Sequence, residues 1–430
     1  LRGPGGGEAG RIVTCHALPP GKSERLELSS CTIEAPALWS PEMPNLYTLE
    51  VTLEDEEGIR DVDEATFGFR WFEFTVDSGF SLNGKPLKLW GMNRHQDYAG
   101  IGNALPERLQ VRDVEIMKEM GANWMRTSHY PQHPAFLDAC DRLGIIVYEE
   151  IASWQFIGGE KFIRNAEAMM REMIARDKNH PSILLWGLLN EGRSRQLFEH
   201  LNRVAHECDP TRLTIYAENK PEEGLELGTV EVPDVLGLNY KLPHLAEIRE
   251  MLPGKKLVNS EHTNADFAVR GDYDAEMSQL ERLVTDISIL AECPYIAGGA
   301  LWSMHDYGTD YEPVWPLQHS GIMDATRLPK EGYYYLKSRW NREPLVHICG
   351  HWNWADGETR SVTVVSNCDE VELFLEGDTL GVVSGEECPA WKVPFAPGTL
   401  KAIGRRGKTT ALHVLHTSGP AVALELRAST

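Results

Sequence analysis

The chain has 430 residues, 25 % of them charged, with 42 Lys plus Arg against 64 Asp plus Glu and a formal net charge of -22. That length calls for two or three domains and a large core, and that charge excludes nucleic acid, anionic membrane surfaces and other polyanions as partners. The eight cysteines are scattered with no Cys-x-x-Cys or Cys/His zinc spacing, which predicts free, mostly buried thiols and no metal site.

No apolar run is long enough to span a bilayer, and no signal peptide is visible. The sequence opens at Leu1 with the Gly-rich Gly3-Pro-Gly-Gly-Gly7 close behind, so a leader or an upstream domain can have been removed. The expectation is a soluble protein, cytoplasmic or secreted, with the oligomeric state open and a homo-oligomer included.

In chain order, residues 1–75 carry short alternating runs such as Leu46-Tyr-Thr-Leu-Glu-Val-Thr-Leu53, split by Pro and by the acidic turn Asp55-Glu-Glu-Gly58. These predict a small antiparallel, immunoglobulin-like sandwich. Over residues 76–340 apolar runs alternate with helical stretches. The runs are Leu87 to Gly91, Trp124 to Thr127, Ile145 to Tyr148, Ile183 to Leu189, Leu213 to Tyr216, Val235 to Leu238, Lys256 to Asn259 and Ile296 to Trp302. Between the first two, Pro106 to Met120 has helical periodicity and ends at Gly121, a residue suited to a helix C-terminus. Eight strand–helix units in this length match a (β/α)8 TIM barrel. Over residues 341–430 the alternation returns in Ser361-Val-Thr-Val-Val365 and Val371-Glu-Leu-Phe-Leu375, which predicts a second sandwich. The expected fold is therefore a multidomain one, a TIM barrel flanked by two β-sandwiches.

Two carboxylates stand at the ends of runs too short and too apolar for amphipathic helices. Glu191 closes Ile183-Leu-Leu-Trp-Gly-Leu-Leu-Asn-Glu191, and Glu261 closes Lys256-Leu-Val-Asn-Ser-Glu261. Such runs read as strands buried on both faces. In a barrel, the residues past the C-terminal ends of the strands face the active-site mouth, so the two can converge on one bond. Paired carboxylates across a scissile bond are the machinery of glycoside hydrolysis. Glu191 is the expected general acid and base, and Glu261 the expected nucleophile, kept ionised by a cation such as Arg126.

Other polar and aromatic residues gather at the same ends. Asn190 can donate its amide to the sugar hydroxyl beside the anomeric carbon, and Tyr240 can hydrogen-bond the nucleophile. His95, His129 and Asp97 are candidate ligands of sugar hydroxyls, and Trp302 offers an apolar face to a sugar ring. There is no His-Glu-x-x-His helix, which argues against an essential metal.

Several longer segments carry a family resemblance: Phe67-Gly-Phe-Arg70, Asn83-Gly-Lys-Pro86 with Gly91-Met-Asn-Arg-His95, Met120-Gly-Ala-Asn-Trp-Met-Arg-Thr-Ser-His-Tyr-Pro131, and Arg176-Asp-Lys-Asn-His-Pro-Ser-Ile183 through Asn190-Glu191. With them the chain resembles glycoside hydrolase family two, which holds β-galactosidases, β-glucuronidases and β-mannosidases. The resemblance implies a retaining double displacement with Glu191 as acid/base and Glu261 as nucleophile; no cofactor is expected. His95-Gln-Asp-Tyr-Ala-Gly-Ile-Gly102 looks most like the β-galactosidase members, and Gly350-His-Trp-Asn-Trp354 with Val371-Glu-Leu-Phe-Leu375 is similar to a sandwich often appended to them. β-Glucuronidases carry an Asn-x-Lys pair for the uronate, where this chain has Gln318-His-Ser320-Gly321. The jelly-roll domain that usually opens the family has no counterpart here, as in a truncation or a natural short form.

The function expected from the sequence is an exo-acting hydrolase of terminal β-galactosides or related small glycans. The alternatives are a β-glucuronidase, another β-glycosidase of the same family, or a carbohydrate-binding barrel of low activity.

Overall fold

The computed structural model describes residues 1–265, 267–310, 316–385, 387–423 and 425. They form two compact units. The first holds a closed parallel barrel whose strands are β1 (Leu89–Asn93), β2 (Trp124–Arg126), β3 (Ile146–Glu150), β4 (Ile183–Asn190), β5 (Leu213–Glu218), β6 (Val235–Asn239), β7 (Lys256–His262) and β8 (Ile296–Leu301). Each strand pairs with the next in sequence, and β8 closes on β1. Helices such as Glu107–Met120, Pro134–Leu143, Glu160–Asp177 and Arg195–Cys208 connect them.

The apolar runs form strands because this sheet is buried on both faces. All eight residues of β4 are buried, as are all five of β3. Leu89, Trp124, Tyr148, Leu185, Ile215, Val235 and Val258 share one core cluster. Phe74, Phe80 and Leu82 join it from a three-stranded antiparallel sheet of Phe72–Thr75, Gly79–Leu82 and Lys85–Pro86. Ahead of that sheet, Tyr47–Asp55 and Gly58–Phe67 pair antiparallel around the acidic turn.

The second unit holds the C-terminal sandwich. A three-stranded sheet (Val346–Ile348, Thr359–Ser366, Ala390–Pro394) and a four-stranded one (Asp378–Ser384, Glu370–Leu375, Thr399–Arg406, Thr409–His416) enclose a core of Trp352, Val364, Leu373, Trp391 and Leu400. In Ala390–Pro394 burial alternates residue by residue, the pattern of a strand with one face on a core. Gly121, in the same unit, has φ +88, and a Cβ there would lie 2.5 Å from the Trp340 carbonyl oxygen. The expected helix-terminating glycine thus also permits a close backbone approach.

All eight cysteines are free. Cys140, Cys349 and Cys368 are buried, but Cys15 and Cys31 are exposed, contrary to the expectation of mostly buried thiols. Both lie in the sparsely structured segment before Tyr47. Among the described residues no helix is long and apolar enough to cross a membrane, and no His/Cys/Asp/Glu group has metal-binding geometry.

Candidate active site

Three residues just past the barrel strands or at their C-terminal ends take left-handed backbone. Glu191 follows β4 at φ +53, Tyr240 follows β6 at φ +58 and Thr263 follows β7 at φ +55. Left-handed backbone costs a non-glycine residue about 1 to 2 kcal/mol, so three instances on one rim mark a place where surrounding structure holds strain. The Glu191 N–H is anchored on the Ala217 carbonyl at 2.9 Å and the Tyr240 N–H on the Glu261 carbonyl at 2.8 Å.

Glu261 lies within β7, 3 % exposed. Arg126, on β2, donates through Nη1 to Glu261 Oε1 at 2.6 Å. Its Nε and Nη2 donate to Glu150 at 3.1 and 2.9 Å, and Nη2 also to Asn190 Oδ1 at 2.9 Å. Every nitrogen of the guanidinium is therefore held by a protein acceptor, and the side chain is fully buried. Burial pushes the Glu261 carboxyl up from its ordinary range, against the pull of Arg126, His129 and a Tyr240 hydrogen bond. For Glu150 burial acts the same way, but Arg126 and His129 outweigh it and hold that carboxyl low. Desolvation and the Glu261 carboxylate keep the Tyr240 phenol protonated.

Glu191 is 8 % exposed and meets only neutral donors among its described hydrogen-bond partners. Asn239 Nδ2 donates to Oε1 at 2.9 Å, while Gln155 Nε2 and Trp154 Nε1 donate to Oε2 at 2.9 and 3.2 Å. Asn239 Nδ2 also donates to Asn190 Oδ1 at 3.1 Å, so the two carboxylates are joined through Asn239, Asn190 and Arg126. With its oxygen taken by two donors, Asn190 keeps its NH2 group without a described acceptor. A fourth carboxyl, Glu218, interacts with Glu191; burial raises it to about 7, and it pairs with Arg193 at 2.9 Å.

The other expected residues line the same barrel end. His129 Nδ1 is 2.8 Å from Glu150 Oε1, and its ring stacks on Trp302 at 5.1 Å between centroids. His95 meets Trp302 edge-on at 5.4 Å and stacks on Tyr307 at 4.1 Å. Its Nδ1 is 3.1 Å from the Tyr130 hydroxyl, and its Nε2 is buried with no described partner. Burial and the neighbouring His129 hold His95 neutral. Asp97 Oδ2 accepts the Gly308 N–H at 2.7 Å, a clamp between the loops after β1 and β8. Trp302 is 5 % exposed and donates through Nε1 to Tyr307 at 3.2 Å.

Sequence reasoning does not single out Gln155, Tyr307 or Glu218. Gln155 adjoins Trp154 in a loop, and only the left-handed turn at φ +58 aims it at Glu191. Glu218 ends β5 as Glu191 follows β4, so the strand-end rule could have found it.

The family model of glycosyl hydrolases family 2, TIM barrel domain, matches residues 75–343, and a second model of glycosyl hydrolases family 2 matches residues 9–70. A domain of unknown function, DUF4982, matches residues 357–411. A β-galactosidase of Thermoanaerobacterium thermosulfurigenes is 36 % identical over 367 residues, 78 % of this chain and 49 % of the relative. A β-glucuronidase of Bacteroides fragilis is 29 % identical over 396 residues, 83 % of this chain and 56 % of the relative. Among solved structures, Bacteroides uniformis β-glucuronidase 2, covalently bound to cyclophellitol-6-carboxylate aziridine, has a TM-score of 0.90 at 30 % identity, covering 97 % of this chain and 56 % of the other. The chain spans about half the length of the curated relatives it matches, 54, 49 and 47 % for three of them. On the barrel, the motifs and these matches together, the chain belongs to glycosyl hydrolase family 2.

Proposed function

We propose that the chain is the catalytic part of a retaining exo-β-glycosidase that cleaves terminal β-D-galactosides. One observation carries this reading: the two carboxyls sit in opposite electrostatic settings. Glu261 has a full cation at 2.6 Å, which opposes the upward push of burial on its carboxyl and stabilises the anion a nucleophile needs. Glu191 has only neutral N–H donors among its described partners and no described ion pair, so the role of acid and base falls to it. In the first step Glu261 attacks the anomeric carbon while Glu191 gives its proton to the departing oxygen. In the second, Glu191 takes a proton from water, which displaces Glu261. The covalent cyclophellitol-type adduct of the B. uniformis relative is consistent with a nucleophile on this fold.

The unaccepted Asn190 amide supplies the donor for the hydroxyl next to the anomeric carbon. The Tyr130 hydroxyl accepts the Gln96 N–H at 3.1 Å. Assigning its proton to His95 Nδ1 leaves an Nε2–H that donates to a sugar oxygen. Trp302, His129 and Tyr307 provide the apolar wall for the ring.

Gln318 and Ser320, both buried, support a neutral sugar over a uronate. Arg126 is already shared by Glu150 and Glu261, and Arg94 by Asp113. Burying an unpaired carboxylate costs several kcal/mol, a preference of at least about a hundredfold for the neutral sugar. The likeness to β-glucuronidases favours the competing uronide reading. Measuring kcat/KM for matched p-nitrophenyl β-D-galactoside and β-D-glucuronide at moderate salt separates the two. A large galactoside preference is expected; comparable values or a uronide preference would replace the galactoside assignment.

A further inference from the structure

The loop between β3 and the helix Glu160–Asp177 carries no charged side chain from Ile151 through Gly159. It nonetheless exposes two large aromatic residues, Trp154 at 49 % and Phe156 at 66 %. Trp302, by contrast, is almost wholly buried within the cluster of His95, His129 and Tyr307. The barrel mouth therefore has a closed aromatic wall and an open one.

The open wall is fixed to Glu191. The Trp154 indole N–H donates to Glu191 Oε2, and the neighbouring Gln155 donates to the same oxygen. The backbone is locked as well, with Gln155 N–H on the Asn190 carbonyl at 2.9 Å and Asn190 N–H on the Ser153 carbonyl at 3.3 Å. Phe156 is steadied by an edge-on contact with Phe162 at 5.5 Å. Exposed aromatics held in place by backbone hydrogen bonds lose little entropy when a flat partner covers them.

Resting on the glycosidase reading, we propose that Trp154 and Phe156 form the subsite for the leaving group. An acid at Glu191 must lie within hydrogen-bond reach of the glycosidic oxygen, so the departing group projects on the Glu191 side. The exposed aromatic surface hydrogen-bonded to Glu191 on that side is the Trp154 ring. The chemistry that fits is a neutral aglycone with a flat apolar face, either an aryl ring or the C–H face of a second sugar. An anionic aglycone finds no cation on this loop.

The test is calorimetric titration with the hydrolysis-resistant pair methyl and phenyl 1-thio-β-D-galactoside, with the uronide pair in parallel and an S-linked disaccharide as third probe. The phenyl glycoside is expected to bind about tenfold more tightly than the methyl one, roughly 1.4 kcal/mol of stacking. Trp154→Ala or Phe156→Ala should cut that ratio at least threefold, and Trp154→Phe, which keeps a ring, should retain most of it. A gain for the disaccharide equal to that for phenyl identifies a sugar as the occupant; a gain for phenyl alone identifies an aryl group. Equal or absent binding of the methyl and phenyl probes overturns the subsite, as does a ratio untouched by both alanine variants. Because thioglycosides are read without turnover, a phenyl preference in a protein that hydrolyses no glycoside would sink the glycosidase reading and leave the subsite standing.

Discussion

Arg126 and Glu261 come from strands on different sides of the barrel and meet at 2.6 Å, with neither side chain more than 4 % exposed. The same guanidinium holds Glu150 in a second ion pair at 2.9 Å. A single buried cation is thus shared by two buried carboxylates, and it also donates to Asn190.

Replacing Arg126 by Met should be costly for that reason. Two buried carboxylates would lose their counter-charge, and breaking a buried pair in this way costs about 3 to 5 kcal/mol. Urea denaturation should show a loss of that order at neutral pH, with much of it recovered in an Arg126→Met, Glu150→Gln double variant. An unchanged midpoint for the single variant would mean that the mouth relaxes and admits water.

Glu191→Ala should slow substrates with poor leaving groups far more than activated aryl glycosides, since only the former need a proton on departure. Azide should restore part of the rate on the activated substrate by replacing the water that the lost base would have activated. Equal losses on both substrates would make Glu191 structural.

A pH effect on stability is expected away from the mouth. His180 Nδ1 is 2.6 Å from Asp141 Oδ2. Burial works against its charge, but the Asp141 carboxylate prevails and raises its pKa above the ordinary histidine value. Its contribution is therefore fully present below about pH 6.5 and lost as the pH rises through the raised folded-state value. His180→Gln should cost more at pH 6 than at pH 9, measured by denaturant unfolding at both. A larger cost at pH 9 would reverse the assigned sign.

The barrel is legible in the sequence because its strands are buried on both faces, so each reads as an apolar run between helical stretches. The runs mislead at the end that matters. The apolar criterion stops β7 at Asn259 and β3 at Tyr148, whereas the strands continue to His262 and Glu150. The polar residues that end them, Glu150 and Glu261 among them, are ion-paired with Arg126 rather than solvated. Contacts such as Asp97 with Gly308 or Asn239 with Glu191 join residues far apart in sequence, and no local pattern encodes them. Gln155 is hidden for another reason, since its aim depends on a backbone turn that a glutamine side chain does not announce.

A double displacement at a β-glycoside releases sugar in the β-configuration. Proton NMR of the anomeric region within the first minutes of hydrolysis should show the β-anomer ahead of mutarotation. Initial release of the α-anomer would mean that a water, and not Glu261, attacks.

The most direct measurement is covalent trapping. A 2-deoxy-2-fluoro-β-D-galactoside with a good leaving group should inactivate the protein with one label per chain, and peptide mass spectrometry should place that label on Glu261. Glu261→Gln should take up no label while still binding sugar, because the amide is nearly isosteric yet cannot attack. A label on Glu191, Glu150 or Glu218 would contradict the account.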